Sequence, residues 1–258
     1  MRFSVITVCL NAGNDLKKTI DSVLNQTYED YEIIVKDGGS KDNSIECITK
    51  DNRIKIIQKN DTGIYDAMNQ GIQEAKGEYI LFINAGDCLY DENVLTKLSD
   101  NIKGDALYYG KSYNVLQKSF DVSPRYIDDY FCYRSMICHQ AMVFSGKILK
   151  KRKYDTAFKI CADREWLIYE VCKEKITPHF LPIVIANYQG GGVSDSPKGK
   201  ILVKKEDKIL KRKYFTKKER LIFGIKYLCT FPHIRKIIIK NQYLNRIYKS
   251  VVSRIYRT

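Results

Sequence analysis

Five prolines and fifteen glycines, at no fixed period, are too few and too scattered for a collagen-like or low-complexity chain. No unit recurs at the spacing of solenoids or propellers. The eight cysteines form no CxxC pair and sit mostly inside apolar stretches, so they are expected to be structural thiols in a reducing compartment. No stretch approaches the ~20 apolar residues of a spanning helix. Met1-Arg2 leads directly into a strand-like run, with no basic segment followed by an apolar one, and the expectation is a cytoplasmic protein. Neither a GxGxxG turn nor a Walker loop occurs, which disfavours NAD-linked and P-loop chemistry. What is there, 258 residues of which 44% are hydrophobic and 29% charged, suffices for one large or two small globular domains.

The net charge of +14 is unevenly spread. Residues 198–258 hold 19 Lys and Arg against Glu206, Asp207 and Glu219, whereas residues 1–197 hold 25 basic and 27 acidic residues. This divides the chain into a nearly neutral body, 1–197, and a basic region, 198–258, expected to be mainly helical. The basic residues there alternate with Ile201, Leu202, Ile209, Leu210, Leu221, Ile222, Phe223, Ile225, Tyr227 and Leu228. Such a segment can lie in a membrane interface with its apolar face buried and its cations against anionic headgroups. The run 221–234 is broken by Lys226 and Pro232, which suits lying on a bilayer rather than spanning it. A packed helical subdomain with a solvated basic face is the alternative. Nucleic acid is not an expected partner, because nothing in the tail matches an RNA or DNA module.

In the body, β-branched apolar runs alternate with segments of helical period, the pattern of βα units around a buried, mostly parallel sheet. Strands are expected over 3–9, 32–36, 54–58 and 79–83, and helices over 15–25, 42–50 and 64–75. Open α/β sheets bind ligands at the carboxyl ends of their strands. Asn11, Asp37, Asp61, and Asn84 with Asp87 follow the four strands in turn, and together they suggest one site.

These residues resemble a family, the inverting family 2 glycosyltransferases of GT-A fold, in a subgroup found in bacterial surface polysaccharide assembly. The resemblance is carried by 5–11 (VITVCLN) with 19–28 (TIDSVLNQTY), 35–40 (VKDGGS), 61–71 (DTGIYDAMNQG) and 82–87 (FINAGD). Segments 137–140 (ICHQ), 162–165 (ADRE) and 190–194 (GGGVS) look like its later motifs. It implies a Rossmann-like mixed, mostly parallel sheet flanked by helices, and transfer of one sugar from a nucleotide-sugar donor, with a UDP-linked hexose or N-acetylhexosamine as the expected donor. The acceptor is expected to be a saccharide linked to a polyprenyl diphosphate, because the basic tail would hold the enzyme on the inner face of the cell membrane.

Carried over by resemblance, Asp37 binds the nucleobase, Thr7 to Asn11 and Gly38 line the same pocket, and Asp61, Gly63 and Asp66 line the donor site. The DxD-type motif falls on Asn84 to Asp87, where Asn replaces the first acid and Gly86 precedes the second. A cation bound to a diphosphate takes most ligands from phosphate and water, so Asp87 can hold Mn or Mg with Asn84 on the ribose or a metal-bound water. His139 and Gln140 contact donor sugar or diphosphate, Gly190 to Gly192 form a lid, and Asp163 is the catalytic base, with Glu165 its neighbour and competitor. Each assignment has a plainer counterpart: a turn at Asp37, a helix cap at Asp87 or Asp61, a solvated Asp66, dipole compensation at Asp163 and Glu165, a core histidine at 139, an ordinary turn at 190–192. Other readings left open are a nucleotide-sugar binder without turnover, transfer to a protein acceptor, and a nucleotidyltransferase. The last is disfavoured by the lack of a Gly-rich, Lys/Arg-bearing phosphate loop.

Overall fold

The computed structural model describes residues 1–228 and 241–255. Nine strands form one mixed sheet, in the order β3-β2-β1-β4-β8-β6-β9-β5, with β7 on β6. Its first half is parallel: β1 (Phe3–Cys9), β2 (Tyr31–Asp37), β3 (Ile54–Gln58) and β4 (Tyr79–Phe82). Beyond β4, β8 (Met142–Ser145) runs antiparallel to both β4 and β6 (Leu107–Asn114). Then β9 (His179–Tyr188) runs parallel to β6, and the edge strand β5 (Cys88–Leu89) antiparallel to β9. The short β7 (Ser119–Phe120) closes a hairpin on β6.

Strands β1 and β2 are buried on both faces, which is why their apolar residues, such as 5–6 and 33–35, run consecutively rather than alternating. On one face Phe3, Val5, Ile33 and Val35 pack beneath α1 (Asn14–Leu24) and α3 (Val94–Asn101). The stripe Leu16, Ile20 and Val23 turns α1 onto that face at helical spacing. On the other, Ile6, Val8 and Ile34 meet α2 (Ile64–Glu74). That same core continues into α4 (Asp129–Arg134), α5 (Gly146–Lys151) and α6 (Ala162–Cys172).

The helix expected over 42–50 is not formed; residues 44–47 are a turn. Asp42 accepts the Ser44 amide at 3.1 Å and the Ser44 hydroxyl, a local bonding pattern that competes with helix. The Ser44 oxygen in turn accepts the amides of Ala12 (2.8 Å) and Gly13 (2.7 Å) at the start of α1. The segment therefore serves as an external cap for a helix whose own first residue supplies none.

The change of charge near residue 197 is not a boundary in packing. Helix α7 (Pro197–Tyr214) starts at the cap Ser196, with Pro197 in its first turn, and carries Leu210 and Tyr214 into the core beside α6; Phe215 follows them. Helix α8 (Lys217–Leu228) lies outside it, touching α4 through Phe223, whose ring centroid is 5.6 Å from Tyr130 and 5.3 Å from Tyr133. The helix Gln242–Ile255 follows. No described helix is long and apolar enough to cross a membrane. The seven described cysteines are free thiols; Cys229, Pro232 and the apolar residues up to Ile234 lie outside the described residues.

Candidate active site

A cavity of about 1370 Å³ opens at the carboxyl end of β4 and is walled by Asn84 to Asp87, His139, Gln140, Asp163, and the residues that follow β9. Asn84, Asp87, His139, Gln140 and Asp163, all singled out in the sequence, thus face one space, as do Gly190 and Gly192 of the expected lid. Thr7, Asn11, Asp37, Gly38, Asp61, Gly63 and Asp66 are not part of its wall, although Val8 and Ile64 beside them are.

The turn after β4 explains its own sequence. Gly86 has φ +100, the left-handed region that a side chain disfavours, so a glycine between Asn84 and Asp87 is a backbone requirement. The Thr19 hydroxyl oxygen accepts the Gly86 amide at 3.0 Å and donates to the Asp87 carbonyl at 2.7 Å, pinning the turn to α1. Asp87 is buried, and Gln140 Nε2 donates to its Oδ2 at 2.7 Å while the Gln189 amide donates to its Oδ1 at 2.9 Å. Burial pushes its pKa up to about 6, against the pull of those hydrogen bonds. Gln140 therefore acts on Asp87 itself. The Asn84 Oδ1 atom is buried without a hydrogen-bond partner among the described residues. Such an atom is costly unless something polar meets it. Among the described residues no cluster of three or more metal-ligating side chains exists. A cation that takes its remaining ligands from a diphosphate and water nevertheless fits this pair, since one carboxylate and one orphaned amide oxygen are both hard oxygen donors.

Across the cavity, Asp163 stands in the first turn of α6. Its Oδ1 accepts the Tyr65 hydroxyl at 2.8 Å and the Arg164 amide at 2.7 Å. The Tyr65 oxygen also lies 3.0 Å from the Ile160 carbonyl, and burial next to the Asp163 charge holds its phenol well above the usual range. Glu165 is placed differently. It is fully buried, bound by Arg152 at 2.6 Å, by Lys213 at 3.0 Å and by the Tyr214 hydroxyl, and it does not line the cavity. His139 Nε2 meets Tyr154 Oη at 2.8 Å, with its ring 4.9 Å from that of Phe82; burial lowers its pKa, so the ring is neutral, against the opposing pull of Asp163.

The strand ends of β1 to β3 form a second polar cluster with internal partners. Asp37 is buried and accepts the Ser40 amide at 3.1 Å and its hydroxyl at 2.5 Å, which folds 37–40 into a turn. Lys36, with no exposed surface, reaches Asp61 at 2.8 Å and donates to the carbonyls of Asp37 and Lys59. A Cβ at Gly38 would come within 2.8 Å of that same Asp61 oxygen, so the residue after Asp37 must be small. Asp61 Oδ1 accepts the Gly63 amide at 3.1 Å, and Asp66 accepts the Thr62 amide at 2.9 Å, closing the entrance to α2. Asn11, at φ +52, accepts the Lys41 amide at 2.8 Å. The Thr7 hydroxyl is buried without a partner among the described residues.

Tyr65, Tyr154 and Gln189 were not singled out in the sequence. Tyr65 lies within the DTGIYDAMNQG segment, but nothing in its spacing says that it reaches across to α6. Gln189 acts through its backbone, to which side-chain identity gives no clue. Gly190 and Gly191 follow it at φ +79 and +73, making the loop over the cavity glycine-dependent.

The chain is similar to known proteins over most of its length. A PGL/p-HBAD biosynthesis glycosyltransferase of Mycobacterium bovis (strain BCG / Pasteur 1173P2) is 28% identical over 210 residues, covering 75% of this chain and 79% of its own. Staphylococcus aureus TarS 1-349 in complex with UDP superposes with a TM-score of 0.63 at 16% identity, over 84% of this chain and 67% of that one. The chain spans only 39% of the longer TarS structure. The mannosyltransferase PcManGT of Pyrobaculum calidifontis, in complex with GDP-Man and Mn2+, superposes with a TM-score of 0.55 at 13% identity, over 71% of this chain and 56% of that one. These structural likenesses concern the fold, which is GT-A. The description "Glycosyl transferase family 2" matches residues 4–164, a stretch that runs from β1 through Asp163, and the chain belongs to that family.

Proposed function

We propose that the protein transfers one sugar from a nucleotide-sugar donor, a UDP-linked hexose or N-acetylhexosamine, to a saccharide carried on a polyprenyl diphosphate, with inversion at the anomeric carbon. The observation that carries this reading is that Asp87 and Asp163, on different elements, face one cavity. Asp163 Oδ1 is occupied by Tyr65 and the Arg164 amide, and Oδ2 has no hydrogen bond among the described residues. Oδ2 is the atom that takes the proton of the acceptor hydroxyl as that oxygen attacks the sugar. Attack from the side opposite the leaving diphosphate inverts the configuration. Asp87, with Asn84 Oδ1, would hold a divalent cation, Mn or Mg, which when bound neutralises charge on the leaving diphosphate. His139 presents a neutral imidazole to the same space and is held by the buried Tyr154, which is not part of the wall. The cluster around Asp37 and Asp61 lies beside this cavity and shapes the strand ends against which the nucleoside would lie. Gly190 to Gly192 would close over the donor.

The acceptor side supports an anionic, lipid-borne substrate. Arg134 and Lys226 both line the cavity and flank the Tyr130 ring, 5.6 Å and 4.1 Å from its centroid. Next to them, α8 exposes Leu221 (65%), Ile222, Ile225 and Leu228 (64%) on one face, with Lys217, Lys218, Arg220 and Lys226 around it. That arrangement suits attachment to an anionic bilayer at the inner face of the cell membrane.

A thermal-shift and nucleotide-release screen against UDP-, GDP-, dTDP- and CMP-sugars, each with Mn, Mg or EDTA, tests the reading. Stabilisation by one nucleotide class with metal-dependent release of that nucleotide supports it. Stabilisation by a donor, with no transfer to any prenyl diphosphate saccharide, supports binding without turnover instead. Indifference to every donor removes it.

A further inference from the structure

We infer that Glu206, in the basic region beyond the family-matched stretch, is a positioning residue for Asp163; the inference rests on the transferase reading above. Glu206 is buried on α7, and its carboxylate accepts three successive backbone amides: Lys159 at 2.8 Å, Ile160 at 3.1 Å and Cys161 at 3.0 Å. Those amides immediately precede α6, whose own cap residue, Cys161, makes no side-chain cap. A carboxylate at this end of a helix satisfies orphan donors and opposes the helix dipole. Here it comes from another helix, 47 residues along the chain.

The neighbours of Glu206 extend the same hold. Asp207 pairs with Arg164 at 2.7 Å, and Lys213 and Tyr214 bind Glu165. Residues 159–161 and 164–165 are thus all fastened to α7, while the one residue between them that faces the cavity as an acid, Asp163, is engaged by Tyr65 instead. Tyr65 touches the Ile160 carbonyl as well, so a shift of the 159–161 loop displaces both the base and its hydrogen-bond donor. Glu206 does not itself line the cavity; it acts through the backbone of Lys159 and Ile160, which do line it, and of Cys161, the segment that leads into Asp163.

The test compares wild type, Glu206→Gln and Glu206→Asp as full-length chains. Three quantities are read: amide hydrogen exchange at Lys159, Ile160 and Cys161, kcat for donor turnover, and KM for donor. Gln retains an acceptor but turns an NH2 toward an amide; Asp retains the charge on a stem one methylene shorter. Glu206→Gln is expected to speed exchange at those amides and to lower kcat about 10- to 100-fold, the scale of a misplaced catalytic group, with donor KM within about twofold. Glu206→Asp is expected to fall between it and wild type, and it carries the test if the Gln chain does not fold. Unchanged exchange overturns the clamp, and faster exchange with unchanged kcat overturns its link to the base. A wild-type chain that releases no nucleotide from any donor overturns the transferase reading and this inference with it, an outcome distinct from an active wild type with an unaffected variant.

Discussion

The Tyr65 hydroxyl lies 2.8 Å from Asp163 Oδ1 and joins α2 to α6 across 98 residues of chain. Both residues come from segments of family character, yet their contact is purely tertiary. A hydrogen bond to a charged group is worth about 1.5–3 kcal/mol. Tyr65→Phe keeps the ring packed against Tyr154 and removes only the donor. It is expected to lower kcat roughly tenfold while leaving donor affinity unchanged, as steady-state kinetics against titrated donor will report. Equal kcat in both chains would mean that Tyr65 does not orient the base.

Asp163→Asn retains shape and loses the proton acceptor. Loss of general-base catalysis is expected to reduce transfer about 10²- to 10⁴-fold, with donor-induced thermal stabilisation preserved. Turnover near that of wild type would transfer the role to another residue; Glu165, locked by Arg152, Lys213 and Tyr214, is poorly placed to take it.

Asp61→Ala examines the second cluster. It leaves the fully buried Lys36 ammonium with carbonyl partners but no carboxylate. Breaking a buried pair on one side is expected to cost about 3–5 kcal/mol in urea unfolding. A change under about 1 kcal/mol would show that the pair adds little to stability.

How much of this could be read beforehand depends on the distance over which a signal acts. Strands β1 to β4 and helices α1 and α2 were legible within a residue or two, because their apolar periods are local. The missing helix at 42–50 was not, since Asp42 and Ser44 spend their hydrogen bonds on a turn and on α1. The strand-end rule located Asn84 and Asp87, but it grouped them with Asp37 and Asp61, whose partners are Ser40 and Lys36. Charge located the basic region, whose first helix starts at Pro197, but a basic face says nothing about Leu210 and Tyr214, which α7 carries into the core.

Glu170 gives a pH test of stability. It is buried in α6, and burial lifts its pKa to about 7, with Arg152 pulling the other way. Its folded pKa exceeds the unfolded value of 4.5, so the folded state holds the proton more tightly. The stability this group contributes is full below pH 4.5 and is lost as pH rises to about 7. Glu170→Gln is therefore expected to be more stable than wild type by about 2–3 kcal/mol at pH 8, with the difference shrinking toward pH 4.5. Urea unfolding at pH 8 and pH 5 checks it; an equal difference at both values would exclude titration of Glu170 as the cause.

Membrane attachment is tested on α8 rather than by truncation, because removing residues from 198 onward also removes Leu210 and Tyr214 from the core. Ile222→Glu with Ile225→Glu alters two exposed side chains. Partitioning onto anionic vesicles is expected to weaken at least about tenfold, with thermal stability unchanged. Undiminished vesicle binding would sink this surface as the attachment site.

The fastening of residues 159–161 to α7 also orders events in time. A chain emerging from the ribosome completes its parallel half-sheet and the Asn84 to Asp87 turn long before Glu206 is made. Until α7 emerges and docks, the start of α6 lacks its three-amide anchor, so the Asn84 to Asp87 turn is made first and the mounting of Asp163 is completed last. A chain cut before Glu206 would thus lose the anchor of the segment leading into Asp163 together with Leu210 and Tyr214 of the core.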